Sequence, residues 1–468
     1  MKRNLRLVFA VTLFALCSAT AAQASPHMWI GFQDDASFRW RPDRNTNLVD
    51  AQQANATIVR AWVYWPQVAP TRPANAADSF DPAYQFNDLD ELVRNAQARG
   101  LEILFTPWGT PKWANGGKTP NYGPTNLADW SKFMHAVADR YSGAHPGYPA
   151  VRFWSIWNEP NLSQFLAPQF VGKRDASPAI YAKLYRAAYT QIKSTNPSAQ
   201  VAIGETSPRG HDKPLGSTTA QDSHSPGKFA QLLAAQRPLL KFDAWSHHPY
   251  PTSFTAPPLQ KVQWPNVTLA SLPKFETSID LWFHRKATPI WITEYGYETA
   301  PEQPKGVSLA TQAANIRTAL SVTGRDPRVQ MFVWFTYRDD AGNPWKSGLV
   351  ANDGSRKPSY QAFADAAQPL DGRNLVLTIA SGRPPVIAFP ARDLARDTAP
   401  GEGVGVTYAV YDGTKPMGVH QPLLAMGRDS WVTLPVEVSP LKGHTYTVIV
   451  TANSHGTYIR RQLTLIAS

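Results

Sequence analysis

The sequence contains one cysteine, few charged residues and no long apolar run after its first residues. The single Cys17 lies in a segment that we expect to be removed, so the mature protein would have no cysteine-based metal site, thiol nucleophile or disulfide. Charged residues make up 17%, and lysine and arginine do not form blocks of five or six. Nucleic-acid binding is therefore not expected. Apolar residues make up 43%, near the globular norm of ~45–50%, which excludes an intrinsically disordered chain.

Residues 1–24 have the pattern of a secretory signal peptide. Three basic residues among the first six precede an apolar run over 7–17, and residues 22–24 (AQA) resemble a cleavage site. The apolar run is too short to span a bilayer of ~30 Å, so membrane insertion is not expected. Cleavage after Ala24 predicts a secreted protein, extracellular or periplasmic, with a net charge of +11 − 3 = +8.

Proline and tryptophan are the abundant residues. The 468-residue chain has 41 prolines, about 9% against a background of ~5%, and 16 tryptophans. Many prolines indicate long, stiffened loops. The tryptophans fit either core packing or flat surfaces on which a ligand stacks, and composition leaves both interpretations open.

From residue 25 to 368, short apolar strands alternate with amphipathic helices. This alternation is typical of a parallel sheet, and the strands are near-continuous apolar runs, as expected when both faces are buried. Eight strands predict an α/β fold, a (β/α)8 TIM barrel. The candidate strands are 28–33, 57–64, 101–106, 151–157, 200–204, 242–247, 289–293 and 329–335.

Residues 369–468 have a different pattern, with apolar and polar residues alternating in segments rich in Val, Thr and Tyr. Asp-Gly turns separate these segments, which predicts a C-terminal all-β sandwich domain. Two roles remain open for it. It either supports the barrel or binds carbohydrate, in which case Tyr408, Tyr411 or Trp431 would provide the aromatic platform.

Two of the predicted barrel strands end in a glutamate. Residues 153–161 read FWSIWNEPN and contain Glu159, and residues 289–296 read PIWITEYG and contain Glu294. Polar residues at the carboxyl ends of barrel strands face the active site. By our count these are strands 4 and 7.

Two carboxyl groups across a barrel mouth suit the hydrolysis of glycosidic bonds. One must stay protonated to give a proton to the leaving oxygen, while the other is ionised and attacks the anomeric carbon. A separation of ~5–5.5 Å between them predicts retention of configuration. The alternative for each glutamate is an ordinary structural salt bridge.

The motifs WNEPN over 157–161 and ITEYG over 292–296 resemble those of glycoside hydrolase clan A, the 4/7 superfamily of retaining glycosidases. Within the clan, WNEPN looks most like family 39 and its exopolysaccharide-hydrolase relatives, with family 5 next. The resemblance covers the barrel. It implies Glu159 as general acid/base and Glu294 as nucleophile, with Asn158 binding the 2-hydroxyl of the sugar.

The resemblance extends to positions on three further strands. Arg60 matches the arginine that the clan places beside the nucleophile. The sequence His247-His248-Pro249-Tyr250 resembles the clan's His-x-Tyr, which implies that Tyr250 hydrogen-bonds Glu294. The sequence does not show which histidine of this pair faces the sugar, and we take His248 as the candidate substrate-binding residue. Neighbouring histidines also suggest a metal site, but no third ligand is apparent, so we predict neither a metal nor a cofactor.

Aromatic and acidic residues at other strand ends are secondary candidates. Trp334 ends the eighth strand, where the clan places an aromatic floor for the sugar, although a core role is the alternative. Trp108 in the loop after strand 3 is a candidate for stacking on sugar. The remaining candidates, each with a structural alternative, are Trp113, Trp345, Asp34, Asp35 and Glu205.

These observations predict a retaining glycoside hydrolase that cleaves β-D-glycosidic bonds, or the equivalent α-L bonds, in an oligo- or polysaccharide. Two alternatives carry the same residues. One is a transglycosidase, in which an acceptor sugar replaces water, and the other is a catalytically silent carbohydrate-binding barrel.

Overall fold

A computed structural model describes residues 28–99, 101–216 and 221–367, and most of the C-terminal region. In that region the described residues are 374–379, 381–382, 384, 386–390, 403–420, 423–425, 431–435, 438–454 and 457–468. The predicted signal peptide and the predicted domain boundary at 368/369 lie outside these residues. Within the described ranges, no helix has the length and apolar character needed to cross a membrane.

Eight parallel strands form a closed barrel in which each strand pairs with its neighbours in the chain and the first pairs with the last. Each overlaps one of the eight predicted strands, so the predicted TIM barrel is confirmed. The strands are β1 Trp29–Gln33, β2 Ile58–Tyr64, β3 Glu102–Trp108, β4 Phe153–Ser155, β5 Gln200–Thr206, β6 Ala244–His247, β7 Ile290–Tyr295 and β8 Val329–Phe335.

Several α-helices of the barrel region begin at a capping residue or have proline in the first turn. The Asn126 side chain accepts a hydrogen bond from the backbone N–H of Ala128 and caps one of them. The helices are α1 Arg44–Gln53, α2 Trp65–Val68, α3 Asn87–Ala98, α4 Leu127–Arg140, α5 Ser177–Thr195, α6 Pro226–Ala234, α7 Leu272–Phe283, α8 Leu309–Gly324 and α9 Pro358–Ala367.

The barrel buries apolar side chains in two layers. Its interior is filled from all eight strands by Trp29, Ile58, Leu104, Phe153, Ala202, Ala244, Trp291, Met331 and Val333. A second, larger cluster lies between the strands and the helices and contains the side chains that alternate with these, such as Phe332 and Trp334 of β8. A strand side chain therefore belongs to the barrel interior or to the helix layer according to its position in this alternation.

Two strands contain an extra residue near their carboxyl ends. Between paired positions 203/245 and 206/247, β5 advances three residues while β6 advances two. Between paired positions 292/332 and 295/334, β7 likewise advances three residues while β8 advances two. These β-bulges contain Glu205 and Glu294, and a bulge of this kind re-aims the side chains that follow it.

The bulge in β5 depends on a glycine. Gly204 has a φ of +113°, and a Cβ atom added there would lie 2.7 Å from the carbonyl oxygen of Ser246. Glu205 follows with a φ of +47°, in the left-handed region that is unfavourable for residues with a side chain. The local sequence Gly204-Glu205 thus allows the strand to turn its glutamate into the barrel mouth.

The C-terminal region is an all-β sandwich, as predicted. One sheet has the strand order β9-β16-β15-β11-β12, with β13 also paired to β11, and β10 pairs with β14 in the other. These strands are β9 Asn374–Ile379, β10 Val386–Pro390, β11 Gly403–Asp412, β12 Lys415–His420, β13 Leu423–Ala425, β14 Trp431–Pro435, β15 Thr445–Ser454 and β16 Thr457–Ala467. Tyr408 is 3% exposed, so it packs inside and does not form a platform.

Glu276 on α7 is a buried acid far from the strand ends that carry Glu159 and Glu294. Its burial leads us to predict that the stability of the folded protein depends on pH. Burial, with Asp326 nearby, raises the pKa of Glu276 from 4.5 to about 8. The folded state therefore binds this proton more tightly than the unfolded state, so stability falls as pH rises from about 4.5 to about 8.

We expect Glu276→Gln to remove this loss because the amide is uncharged. Its Tm should match that of the parent near pH 4 and exceed it by on the order of 3 °C at pH 9. Scanning calorimetry at the two pH values checks this, and equal Tm values at pH 9 would contradict it.

Candidate active site

Glu159 lies in the loop that follows β4, where the backbone makes an unusual turn. Trp157 and Glu159 have φ values of +71° and +36°, both in the left-handed region. The Trp157 ring is fully buried, and its Nε1 donates to the carbonyl oxygen of Phe165. This anchor holds the turn, so Asn158 and Glu159 project into the barrel mouth, where both line a cleft.

Glu294 reaches the same cleft from the bulge of β7. Its Oε1 accepts a hydrogen bond from Nη1 of Arg60 at 2.5 Å, and its Oε2 accepts one from the Tyr250 hydroxyl at 3.1 Å. The predicted contacts of Glu294 with Arg60 and Tyr250 are thus present.

Arg60, on β2, is fully buried and connects several strands beneath the cleft. Its guanidinium donates to Glu205 at 2.9 Å and to the Asn158 side-chain oxygen at 3.0 Å, besides the bond to Glu294. Gln33, Thr106 and the backbone oxygen of Thr293 accept its remaining bonds. Arg60 therefore fixes Glu294 and the side-chain amide of Asn158 relative to one another.

His248 links three glutamates beneath the cleft, but it is fully buried and is not among the residues that line the cleft, so the structure does not support its predicted contact with substrate. Its Nδ1 lies 3.0 Å from Glu159 and 3.6 Å from Glu294, and its Nε2 lies 2.9 Å from Glu205. His247 points away from them into the protein and bonds Thr206 and the backbone oxygen of Val267. The choice between the two neighbouring histidines is thus decided by geometry.

The charges of this cluster balance if one glutamate is protonated. Burial alone would lower the pKa of His248, but the carboxylates of Glu294, Glu159 and Glu205 raise it to about 10. Burial opposes ionisation of Glu205, yet Arg60 and His248 lower its pKa to about 2. Two cations, Arg60 and His248, thus face the carboxylates of Glu205 and Glu294.

Glu159 is the carboxyl group of this cluster whose pKa is raised. Burial is the largest cause, and the negative charge of Glu294 raises the pKa of Glu159 further, while His248 acts in the opposite direction. A carboxyl group with a raised pKa suits the role of a general acid.

The two carboxyl groups are close together. Glu159, His248 and Glu294 each place one oxygen or nitrogen within 4.8 Å of those of the other two. Such a cluster resembles a metal site, but both ring nitrogens of His248 contact carboxylates, and its pKa of about 10 makes it an imidazolium without a free lone pair at neutral pH. The chemistry of these groups therefore favours an ion-pair network over a set of metal ligands.

The cleft has a volume of about 930 Å³ and is lined by the two glutamates together with aromatic and polar side chains. Its aromatic residues are Trp62, Phe165, Tyr250, Phe335 and Trp345. Aromatic rings suit the flat C–H faces of sugars because they offer a large rigid apolar area. Trp345 was a secondary candidate, and it lies against Tyr250 and Phe335 with ring centroids 5.7 and 6.0 Å away.

Two of the predicted tryptophans do not line this cleft. Trp334 is fully buried in the layer between strands and helices, where its Nε1 donates to the backbone oxygen of Ser347. Because side chains of β8 alternate, Phe335 takes the cleft position and the prediction for Trp334 is wrong. Trp108 packs behind the cleft, with its ring 5.1 Å from that of Trp62.

The other secondary candidates hold the structure together. Asp34 accepts hydrogen bonds from Ser37 and from the backbone N–H of Arg338. Asp35 pairs with Arg39 at 2.6 Å, and Trp113 donates to the backbone oxygen of Ala69. The turn interpretation of the two aspartates and the packing interpretation of Trp113 are the ones that these contacts support.

Trp62 is a cleft residue that the sequence interpretation missed. It lies two positions after Arg60 on the same strand, and residues two apart project from the same face. Since Arg60 was already a candidate, this spacing was the signal that identifies Trp62.

Comparison with known families gives a match over residues 124–372, to a family model described as "Family of unknown function (DUF5722)". This range covers more than half of the chain and contains both Glu159 and Glu294.

Several solved structures have a similar fold. A family 39 glycoside hydrolase from Bacteroides cellulosilyticus WH2 is 18% identical, with a TM-score of 0.55 over 89% of this chain and 82% of that one. A glucosidase from Croceicoccus marinus is 15% identical, with a TM-score of 0.56 over 92% of this chain and 97% of that one. The GH5_18 protein from Streptomyces cattleya is 14% identical, with a TM-score of 0.53 over 77% of this chain and 86% of that one. The fold is thus that of clan A glycoside hydrolases, as its motifs indicated.

Proposed function

Since this chain belongs to the DUF5722 family, whose function is unknown, and joins two glutamates to one cleft, we propose that it is a secreted retaining glycosidase. Its substrate is an oligo- or polysaccharide with β-D-glycosidic or equivalent α-L bonds. The predicted signal peptide supports secretion, and the likeness in fold to family 39 and family 5 enzymes supports the class of reaction.

The observation that carries this proposal is the short distance between two carboxyls in different environments. One oxygen of Glu159 lies within 4.8 Å of one oxygen of Glu294, which fits the ~5–5.5 Å separation of a retaining pair better than the ~6.5–9.5 Å that an inverting enzyme needs to fit a water molecule. Glu294 receives hydrogen bonds from Arg60 and Tyr250, while burial raises the pKa of Glu159. This supports a double displacement with retention.

In the first step, Glu294 attacks the anomeric carbon and Glu159 gives its proton to the leaving oxygen. The C–O bond to the leaving group breaks as the bond to Glu294 forms, through an oxocarbenium-like state. Asn158, whose oxygen is held by Arg60, presents its amide to the 2-hydroxyl of the sugar.

In the second step, Glu159 removes a proton from water, which hydrolyses the glycosyl-enzyme. The ester at Glu294 carries no charge, so one of the anions that kept Glu159 protonated is absent at this stage. The pKa of Glu159 therefore falls when a base is needed and rises again when the free Glu294 carboxylate returns.

The experiment follows the anomeric configuration of the product by ¹H NMR during turnover of a glycan panel and of aryl β-glycosides. We expect the anomer with the configuration of the substrate to appear first, which is the β-anomer for the aryl β-glycosides, and the other anomer only later, by mutarotation. First appearance of the inverted anomer would overturn the double displacement. Transfer to an added acceptor sugar in preference to water would identify the transglycosidase alternative. Binding without turnover would identify the silent alternative.

A further inference from the structure

The loop that follows β5 places an exposed arginine and an exposed histidine in the cleft. Arg209 and His211 line the same cavity as Glu159 and Glu294, and both are largely exposed. Apart from these four, the residues that line it are uncharged. The two catalytic carboxyls are thus the only acids among the described residues that line the cleft.

The first part of this loop, residues 207–211, is held in place although Arg209 and His211 are exposed. The backbone N–H groups of Ser207, Gly210 and His211 donate to side-chain oxygens, and that of Val267 donates to the backbone oxygen of Pro208. A Cβ atom at Gly210 would lie 2.0 Å from the backbone of His224, so the loop packs directly on its neighbour.

Arg209 is positioned but is not neutralised. Its Nη1 donates to the backbone oxygen of Thr252 at 3.0 Å, which fixes the guanidinium. Among the described residues no carboxylate forms a salt bridge with it or with His211. A fixed guanidinium with free N–H groups matches the geometry of a carboxylate, which it binds through two parallel hydrogen bonds.

We infer that the cleft accepts an acidic glycan, in which a sugar carboxylate binds Arg209 with His211 beside it. This inference rests on the proposed function and specifies its substrate class. The β5 loop adjoins the β4 loop that carries Glu159, so the acidic sugar lies on the side of the leaving group. An acidic substrate also fits the predicted net charge of +8.

The test measures the ratio of affinities for acidic and neutral forms of one polymer. The probes are glucuronoxylan and xanthan, each with its carboxyl-reduced derivative, and retention is measured by affinity electrophoresis. We use the mature protein carrying Glu294→Gln, so that the polymer is not degraded. We expect at least one acidic polymer to be retained at least tenfold more strongly than its reduced form.

Arg209→Gln, added to this background, should lower that ratio about tenfold or more. Arg94→Gln removes the same charge from exposed helix α3, outside the cleft, and should leave the ratio unchanged. Three outcomes would overturn the inference. The acidic and reduced forms could be retained equally, the retention ratio could fall equally in both arginine variants, or neither acidic polymer could be retained. Failure of the proposed function is a different result, because in that case the parent protein would turn over no glycan and no aryl glycoside.

Discussion

Replacing Glu294 by Gln is expected to reduce turnover by on the order of 10⁴-fold or more, because no other group can form the glycosyl-enzyme. The amide keeps the size of the side chain and still accepts a hydrogen bond from Arg60, so glycan binding should persist. Steady-state kinetics on an aryl β-glycoside, with binding measured separately, check both parts.

The comparison variant is Glu159→Gln, which removes the acid and leaves the nucleophile. Its first step should be impaired severely for sugar leaving groups and far less for a dinitrophenyl leaving group, which needs no proton. Glu294→Gln should be inactive toward both. If turnover depended on the leaving group equally in the two variants, the assignment of Glu159 as acid and Glu294 as nucleophile would be contradicted.

Glu205→Gln should impair the protein in two separate ways, since this buried glutamate pairs with both Arg60 and His248. Removing one partner of a buried ion pair costs about 3 kcal/mol of unfolding free energy. Arg60 and His248 would also lose a fixed support, and small displacements of catalytic groups lower turnover by on the order of 10²-fold. Urea unfolding and kinetics measure the two effects.

The pH dependence separates a positioning role of Glu205 from a merely structural one. Because Glu205 helps to raise the pKa of His248 to about 10, its loss should lower that pKa and shift the alkaline limb of the pH–rate profile to lower pH. Since the pKa of Glu205 is lowered to about 2, its stabilising effect is complete above pH 4.5 and is lost toward pH 2. The stability difference between variant and parent should shrink accordingly in acid.

Glu276→Gln is the matched control for these measurements, because it also replaces a buried glutamate by its amide but does so outside the cleft. We expect it to keep the pH–rate profile of the parent. An unshifted alkaline limb in Glu205→Gln would reduce Glu205 to a structural ion pair.

The sequence predicted the barrel well because each strand is a distinct apolar run bounded by turns. The two glutamates were predicted to meet because the carboxyl ends of parallel strands share one edge, and the resemblance to clan A implied that Arg60 and Tyr250 would join them. Trp334 shows where such reasoning fails. The alternation along β8 is visible in the sequence, but which set of residues faces the barrel interior depends on packing against neighbouring strands.

The β-bulges explain why the sequence pattern alone does not predict where the Glu205 and Glu294 side chains point. Ala202 and Trp291 face the barrel interior, so regular alternation would direct Glu205 and Glu294 toward the helices. An extra residue in each strand reverses this, and no turn or capping residue announces it. For Glu294 the resemblance supplied what the pattern does not contain, and for Glu205 only a supporting role was expected.

The ion network beneath the cleft also constrains the order in which the chain is assembled. Arg60 and Glu294 are 234 residues apart, and Arg60 is buried between strands from both halves of the barrel. Until β7 is in place, a partly formed barrel would bury this cation without its full set of partners, which is unfavourable. We therefore expect the region up to β6 to lack a stable closed state of its own, and we expect the barrel to close only when β7 and β8 join it.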